Sequence, residues 1–441
     1  MSNKPLKLSD IFVIGFAMFA VFFGAGNLIF PPYLGMESGS NWFLGFFCFV
    51  LADVGLAILT TLVLVRLQGT GREVLTGLGA VPSRVVMTIV MLIVGPLLCI
   101  PRTGATTYEM AIQPILPNCP SWLFGLLFFG FAFLLTIRSS KVVDIIGKVL
   151  TPMLLVTLAV LVVKGIFDPI GEIGHNDQPM HIAKTGFLAG YQTMDVLGAI
   201  IMAMLVASSA VNKGYVTAKS KLKVVAAASV VAAASLFVVY CGLTYLGATT
   251  SLTDVGDVNQ TGLVVLVTEL LLKRVGVYLL ALIVFFACLT TAVGLISTTA
   301  EYFSNLAKRR VSYAAMSAIM ALCGAVISSM GISQMIAVAT PILNVLYPLL
   351  LTQIILSIFY KQIHRNGVYL GAALGAMAFC IPDTLNSLGL NLAFLHKLPL
   401  ASLGFGWVLP ALAGALLGAL LSKKEKHKAE PMSSAVGQMV V

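Results

Sequence analysis

Three clusters of small and polar residues interrupt otherwise apolar stretches, and their types suit binding through backbone and oxygen atoms. In the first, FFGAGNLIFPP (residues 22–32), Gly24, Ala25, Gly26 and Asn27 fall near the middle of a segment with no charge from Ile11 to Met36. A glycine inside a helix costs about 1 kcal/mol relative to alanine, so the position must be useful in some other way. One use is close packing of a small-residue face. The other is an unwound segment whose backbone faces an enclosed cavity, the setting in which irregular backbone is tolerated at membrane depth. The second cluster, GFLAGYQTMDVLGA, gathers Gly186, Gly190, Tyr191, Gln192, Thr193, Met194 and Asp195, and Asp195 is the sole charge between Lys184 and Lys213. An intramembrane carboxylate is expensive, roughly 2.5 kcal/mol or more on insertion scales, so it faces a cavity or a structural partner. The third is FFACLTTAVGLISTT, in a charge-free run from Val275 to Ala300. Ala287, Thr290 and Thr291 stand at i, i+3 and i+4, so one carbonyl and two hydroxyls can share a face and suit a hard monovalent cation. Threonine also commonly bonds back to its own helix.

The elements that carry these clusters follow from composition. The 441 residues are 59% hydrophobic and 10% charged, with a mean hydropathy of +1.00. That is an all-α polytopic membrane protein with no room for a separate soluble domain. Runs of about 20 apolar residues, bounded by Gly, Pro or charge, predict about twelve transmembrane helices near 11–34, 42–66, 84–113, 121–138, 143–166, 186–212, 222–247, 275–305, 311–329, 334–360, 367–386 and 403–421. The first is too long for a signal-peptide core and reads as a retained span. The net charge of +10 does not point to nucleic acid, because the basic residues alternate between loops. With both termini cytoplasmic, the inner side receives Lys4, Lys7, Arg66, Arg72, Arg84, Arg138, Lys141, Lys148, Lys213, Lys219, Lys221, Lys223, Lys308, Arg309, Arg310, Lys361, Arg365, Lys423, Lys424, Lys426 and Lys428. Only Arg102, Lys164, Lys184, Lys273, Arg274 and Lys397 remain of the 27 Lys and Arg. This asymmetry orients the helices and places basic loops against anionic lipid headgroups.

The broken segments fall in helices one and six. Five helices per repeat is an odd number, so a second repeat has inverted topology, and weak points at matching positions of inverted halves point to a transporter's central site. The expected organisation is a first repeat at 11–166, a second at 186–360, two further helices at 367–421 and a tail at 422–441.

Other reactive residues argue against an enzyme. Six cysteines (Cys48, Cys99, Cys241, Cys288, Cys323, Cys380) lie in apolar segments and Cys119 in a loop, with no CxxC, which reads as packing. The histidines, His175, His181, His364, His396 and His427, are all expected in loops. There is no HExxH and no GxSxG. Arg102 and Glu109, seven apart, can share a face as an outer gate or as a structural pair. Asp53, in the middle of the second span, could face a pore or partner Arg102 or a hydroxyl.

The stretches FAMFAVFFGAGNLIFPPYLG, GPLLCIPRTGATTYE, GYQTMDVLGA, ACLTTAVGLISTTAEYF and ATPILNVLYP, in that order over essentially the whole chain, resemble the bacterial branched-chain amino acid:cation symporters, the BrnQ or LIVCS family. The resemblance implies sodium-coupled uptake of leucine, isoleucine and valine across the bacterial cytoplasmic membrane, and a LeuT-type five-plus-five inverted repeat with discontinuous helices one and six. It implies a sodium site of the carbonyls of Ala20 and Phe23 with Ala287, Thr290 and Thr291, and no other cofactor. It also implies a substrate carboxylate on the backbone of Gly24, Ala25, Gly26 and Asn27, and an ammonium on carbonyls near Gly190, Tyr191 and Gln192, with Thr193 and Asp195 adjoining. Leu97, Ile100 and Met194 are the expected side-chain pocket. A second sodium site that uses an asparagine in helix seven is in doubt, since Leu222 to Gly247 has neither Asn nor Asp. Proton coupling, a broader neutral amino acid range and a channel remain alternatives, although a twelve-helix inverted repeat in one chain favours alternating access.

Overall fold

The computed structural model describes residues 5–67, 74–137, 155–253, 256, 258–360, 362–363, 365–390 and 399–422, without the side chains of Met204 and Leu205. Lys4, Arg72, Arg138, Lys141, Lys148, Lys361, Lys397, Lys423, Lys424, Lys426 and Lys428 of the charge map lie outside these residues. So do His364, His396, His427, the first part of the fifth span and the tail after Ser422.

Apolar helices follow one another in the order of the expected spans, and the described residues contain no strand. The first span is two helices, α1 (Leu8–Phe22) and α2 (Ala25–Ser38). The second is α3 (Trp42–Val50), carried through a π-helical turn at Leu51–Gly55 into α4 (Leu56–Leu67). The third is α5 (Ala80–Leu92), a π-turn at Ile93–Leu97, α6 (Cys99–Thr107) and a further π-turn at Tyr108–Ile112. Then come α7 (Ser121–Ile137) and α8 (Leu155–Phe167). The sixth span is again divided, into α9 (Pro179–Thr193) and α10 (Asp195–Asn212). It is followed by α11 (Ala218–Ala248), α12 (Gln260–Leu306), α13 (Tyr313–Ser328), α14 (Ile332–Ile358), α15 (Asn366–Ser387) and α16 (Val408–Leu421).

Two boundaries differ from the expectation. The sixth span begins at Pro179, whose missing N–H suits the first helical position, so His181 and Lys184 lie in the helix rather than in a loop. The eighth span is preceded by a helical segment from Gln260 that joins it across a kink at Lys273 (φ 57°, ψ −159°). That segment packs Leu263, Val267 and Leu271, a row at four-residue spacing, against Leu161 and Leu246. Side-chain caps set three helix starts: Thr217 accepts from Ser220 N at 3.2 Å, Asn259 from Gly262 N at 2.8 Å and Ser312 from Ala315 N at 3.2 Å.

Helices approach closely where glycines face each other's backbone. A Cβ on Gly35 would overlap the Thr244 carbonyl, and one on Gly247 the Pro32 carbonyl, so α2 and α11 lie backbone to backbone. Gly371 and Gly414 do the same between α15 and α16. Phe19, Phe49, Tyr240 and Tyr347 fill the interior, while Val275, Leu416, Leu420 and Leu421 are exposed on outer faces, as lipid rather than water demands.

Candidate substrate and ion site

Both breaks are real and they face each other. The helix of α1 stops at Phe22, Phe23 (φ −83°, ψ 86°) and Gly24 (φ −106°, ψ −172°) leave helical geometry, and α2 resumes at Ala25. Asn27 closes the turn by accepting from Gly24 N through Oδ1 at 3.2 Å. In the sixth span the single residue Met194 takes a left-handed conformation (φ 65°, ψ 19°) between α9 and α10. A non-glycine residue there is strained, and Asp195 sits in the first turn of α10, where the N-terminal dipole end favours its charge.

One amide group ties the breaks together. Asn27 Nδ2 lies 2.9 Å from Asp195 Oδ2, 3.2 Å from Asp53 Oδ2 and 2.6 Å from the Tyr240 hydroxyl. Thr193 Oγ1 donates to Asp53 Oδ1 at 2.7 Å and lies 2.6 Å from the Gly190 carbonyl. Asp53 is fully buried within the π-turn of the second span, a distortion often found at functional sites. Of the two partners considered for it, the hydroxyl is present, whereas Arg102 donates to the Gln192 carbonyl.

Arg102 does not pair with Glu109. The Glu109 carboxylate accepts from Asn259 Nδ2 at 2.9 Å, from Thr261 Oγ1 and from Ile332 N at 2.8 Å, while Arg102 is buried beside the two breaks. Its Nη1 donates to the Gln192 carbonyl at 2.6 Å, and its guanidinium lies over the Phe30 ring at 4.7 Å. Gly26 allows this approach, because a Cβ there would stand 3.1 Å from Arg102 Nη2 and 3.3 Å from Thr193 Cα.

A small cavity opens here, lined by Leu98, Arg102, Gln192, Met194, Met335, Ile336 and Ala339. Of the three residues expected in a side-chain pocket, Met194 lines this cavity. Leu97 is 45% exposed, and Ile100 is buried toward Gly324 and Phe129 of the neighbouring helices. Leu98, four residues before Arg102, takes the cavity face instead, because the non-helical Gly95 (ψ −119°) and the π-turn around it shift the helical phase. Two of the carbonyls expected to meet an ammonium have other donors, Tyr191 the Met194 N–H and Gln192 the Arg102 guanidinium, and the Gly190 carbonyl lies against the Thr193 hydroxyl. Gln192 Nε2 in turn donates to Thr340 Oγ1 at 2.7 Å.

A second cavity is bounded by Phe23, Gly24, Ala25, Leu28, Thr106, Val284, Ala287 and Cys288. It brings together Phe23 and Ala287 of the expected ion site and adds Thr106, whose buried hydroxyl has no hydrogen-bond partner among the described residues. Thr290 and Thr291 both donate back to the Ala287 carbonyl, at 2.9 and 3.0 Å, and Ala20 is exposed.

Several of these neighbours carry little sequence signal. Tyr240 and Met335 look like ordinary apolar-helix residues. Arg102 was detectable as the only charge between Arg84 and Glu109, since a charge within a span marks function by default.

An all-helical chain with two helices broken opposite each other, around buried polar groups, has a LeuT-like fold. The inward-facing structure of Mhp1 matches this fold with a TM-score of 0.63, at 14% identity, over 97% of each chain. Two curated relatives extend the match to sequence. The branched-chain amino acid permease BraB of Bacillus subtilis is 36% identical over 95% of this chain and 97% of its own. The branched-chain amino acid transport system 2 carrier protein of Pseudomonas aeruginosa is 35% identical over the same shares. The family model described as branched-chain amino acid transport protein matches residues 7–425. The chain belongs to that family, a family of membrane transport proteins and not of enzymes.

Proposed function

We propose that the protein imports leucine, isoleucine and valine as a secondary active symporter, driven by a sodium gradient through alternating access. We place it in the bacterial cytoplasmic membrane with both termini inside. The observation that carries the reading is the approach of the two helix breaks, Gly26 of the first against Thr193 of the second, beside a cavity lined by Leu98, Arg102, Gln192, Met194, Met335, Ile336 and Ala339. Helix ends offer partial charges to a zwitterion, and aliphatic walls offer an apolar surface to a branched side chain. Sodium is the coupling ion in this reading because the second cavity combines the Phe23 and Ala287 segments with the unpartnered Thr106 hydroxyl, and oxygen donors of this kind suit a hard cation. The basic residues Lys7, Arg66, Arg84, Lys213 and Lys219 support the orientation.

Proton coupling is the second reading, favoured by the buried carboxylates Asp53 and Asp195 sharing one amide donor. The test is uptake of labelled leucine by proteoliposomes with sodium and proton gradients imposed separately. Accumulation is expected with the sodium gradient alone. Accumulation with the proton gradient alone would replace sodium by the proton, and equilibration without accumulation under either would make the protein a passive pore.

A further inference from the structure

Arg102 has more hydrogen-bonding capacity than the protein uses. A guanidinium carries five N–H donors in a rigid plane and cannot be satisfied by one acceptor. Here Nη1 is occupied by the Gln192 carbonyl, whereas Nε and Nη2 are buried and have no partner among the described residues. These two nitrogens form one edge of the guanidinium, from which two parallel N–H bonds can reach the two oxygens of a carboxylate. Arg102 is 5% exposed and borders the cavity that Gln192 and Met194, at the second break, also line. The nearby carboxylates, Asp53 and Asp195, are engaged by Asn27 and Thr193. Buried donors without acceptors are rare and costly in folded proteins, and these two share an edge.

We propose that the Nε–Nη2 edge of Arg102 is the site that captures the substrate's carboxylate, so that a free carboxylate is a condition of recognition. This rests on the transport reading above and changes its chemistry. The anion is met by a side-chain cation on the third span, beside the glycine backbone of the first. Phe30 holds the guanidinium plane from one face and the Gln192 carbonyl holds its far end. Gly26 leaves the space through which Nη2 approaches the break. A neutral amide in place of the carboxylate turns one of its own N–H donors toward this edge, which has only donors to offer. The site therefore rejects amino acid amides and takes α-amino acids with an ionised carboxyl group.

The test uses purified full-length protein and compares binding of L-leucine with that of L-leucinamide, which keeps the amine and the side chain. The wild-type protein is expected to favour leucine by about 100-fold or more, as a site built around a charged hydrogen-bonding partner does. In Arg102→Gln the ratio should collapse to within about threefold of unity, through loss of leucine affinity rather than gain for the amide. Arg102→Lys keeps the charge but not the fork. It is the deciding variant if Arg102→Gln does not fold, and its ratio should fall below the wild-type value. A wild-type ratio in either folded variant overturns the assignment to Arg102 and leaves the transport reading intact. A wild-type protein that does not bind leucine defeats the transport reading itself.

Discussion

Asn27 holds the two breaks to each other with a single side chain. Its carbonyl oxygen takes the Gly24 N–H, and its amide nitrogen, with two N–H donors, lies within hydrogen-bond distance of Asp195, Asp53 and Tyr240. Truncating it leaves buried carboxylates short of a donor, at roughly 1–3 kcal/mol for each unsatisfied group. Asn27→Ala is therefore expected to lose about 2–4 kcal/mol of stability, seen as a lower melting temperature of the purified protein. An unchanged melting temperature would deprive Asn27 of this role. Asp195→Asn is a milder change, because an amide oxygen still accepts from Asn27 while the charge beside the break is gone. It is expected to reach the membrane in near-normal amounts and to lower leucine uptake about tenfold or more. Normal uptake per molecule in the membrane would return Asp195 to a structural pair. At this scale the sequence was readable where a residue was alone of its kind, as Asp195 is between Lys184 and Lys213. It was misread where helical phase mattered. Arg102 and Glu109 share a face in a regular helix, but the π-turn from Tyr108 to Ile112 shifts the phase at Glu109, and Asn259 and Thr261 receive it instead.

Among the elements, the pairing of α2 with α11 fixes where the first break stands. Gly35 and Gly247 each face a backbone carbonyl of the other helix, which cannot rotate aside as a side chain can. Gly130 of α7, by contrast, has nothing within 4 Å of an added Cβ. Opposite signs are expected for the same substitution. Gly35→Ala and Gly247→Ala should each cost about 1–3 kcal/mol by forcing the helices apart. Gly130→Ala should gain about 0.5–1 kcal/mol from helix propensity. Thermal melts of the three variants make the comparison, and a common sign would show that close helix approach is not what these glycines supply. The broken spans themselves were legible because glycine and asparagine cluster inside a long charge-free run, where they weaken a regular helix. The helical segment from Gln260 to the Lys273 kink was not. Glu269, Lys273 and Arg274 set it outside the charge-free run of the eighth span, although Leu263, Val267 and Leu271 at four-residue spacing form the apolar face that packs against Leu161 and Leu246.

In the whole molecule, coupling requires that ion and substrate act on the same moving parts. The first break lines one cavity and approaches the wall of the other: Phe23, Gly24 and Ala25 face Thr106 and Ala287, while Gly26 lies against Thr193 and against Arg102, which lines the first cavity. Ala20 is exposed and the Thr290 and Thr291 hydroxyls are turned back onto their own helix. The ion site implied by the family resemblance would therefore need a hydroxyl to turn from the Ala287 carbonyl toward the incoming ion. An ion held there would touch the first break, which lies against Arg102 through Gly26. Because binding of two ligands to one protein is reciprocal, weakening the ion weakens the substrate by the same factor at sub-saturating sodium. Thr291→Val keeps the side-chain shape and removes the oxygen. It is expected to shift the half-saturating sodium concentration for leucine uptake upward by about tenfold, with leucine affinity recovering at high sodium. Thr291→Ser keeps the oxygen and should stay within about threefold of wild type. Uptake measured against sodium concentration for both variants, at low and at saturating leucine, separates the two roles of this hydroxyl. A curve for Thr291→Val that overlays the wild type would mean that the bond to the Ala287 carbonyl is all the hydroxyl does, and the coupling ion would have to be sought elsewhere, first at Thr106.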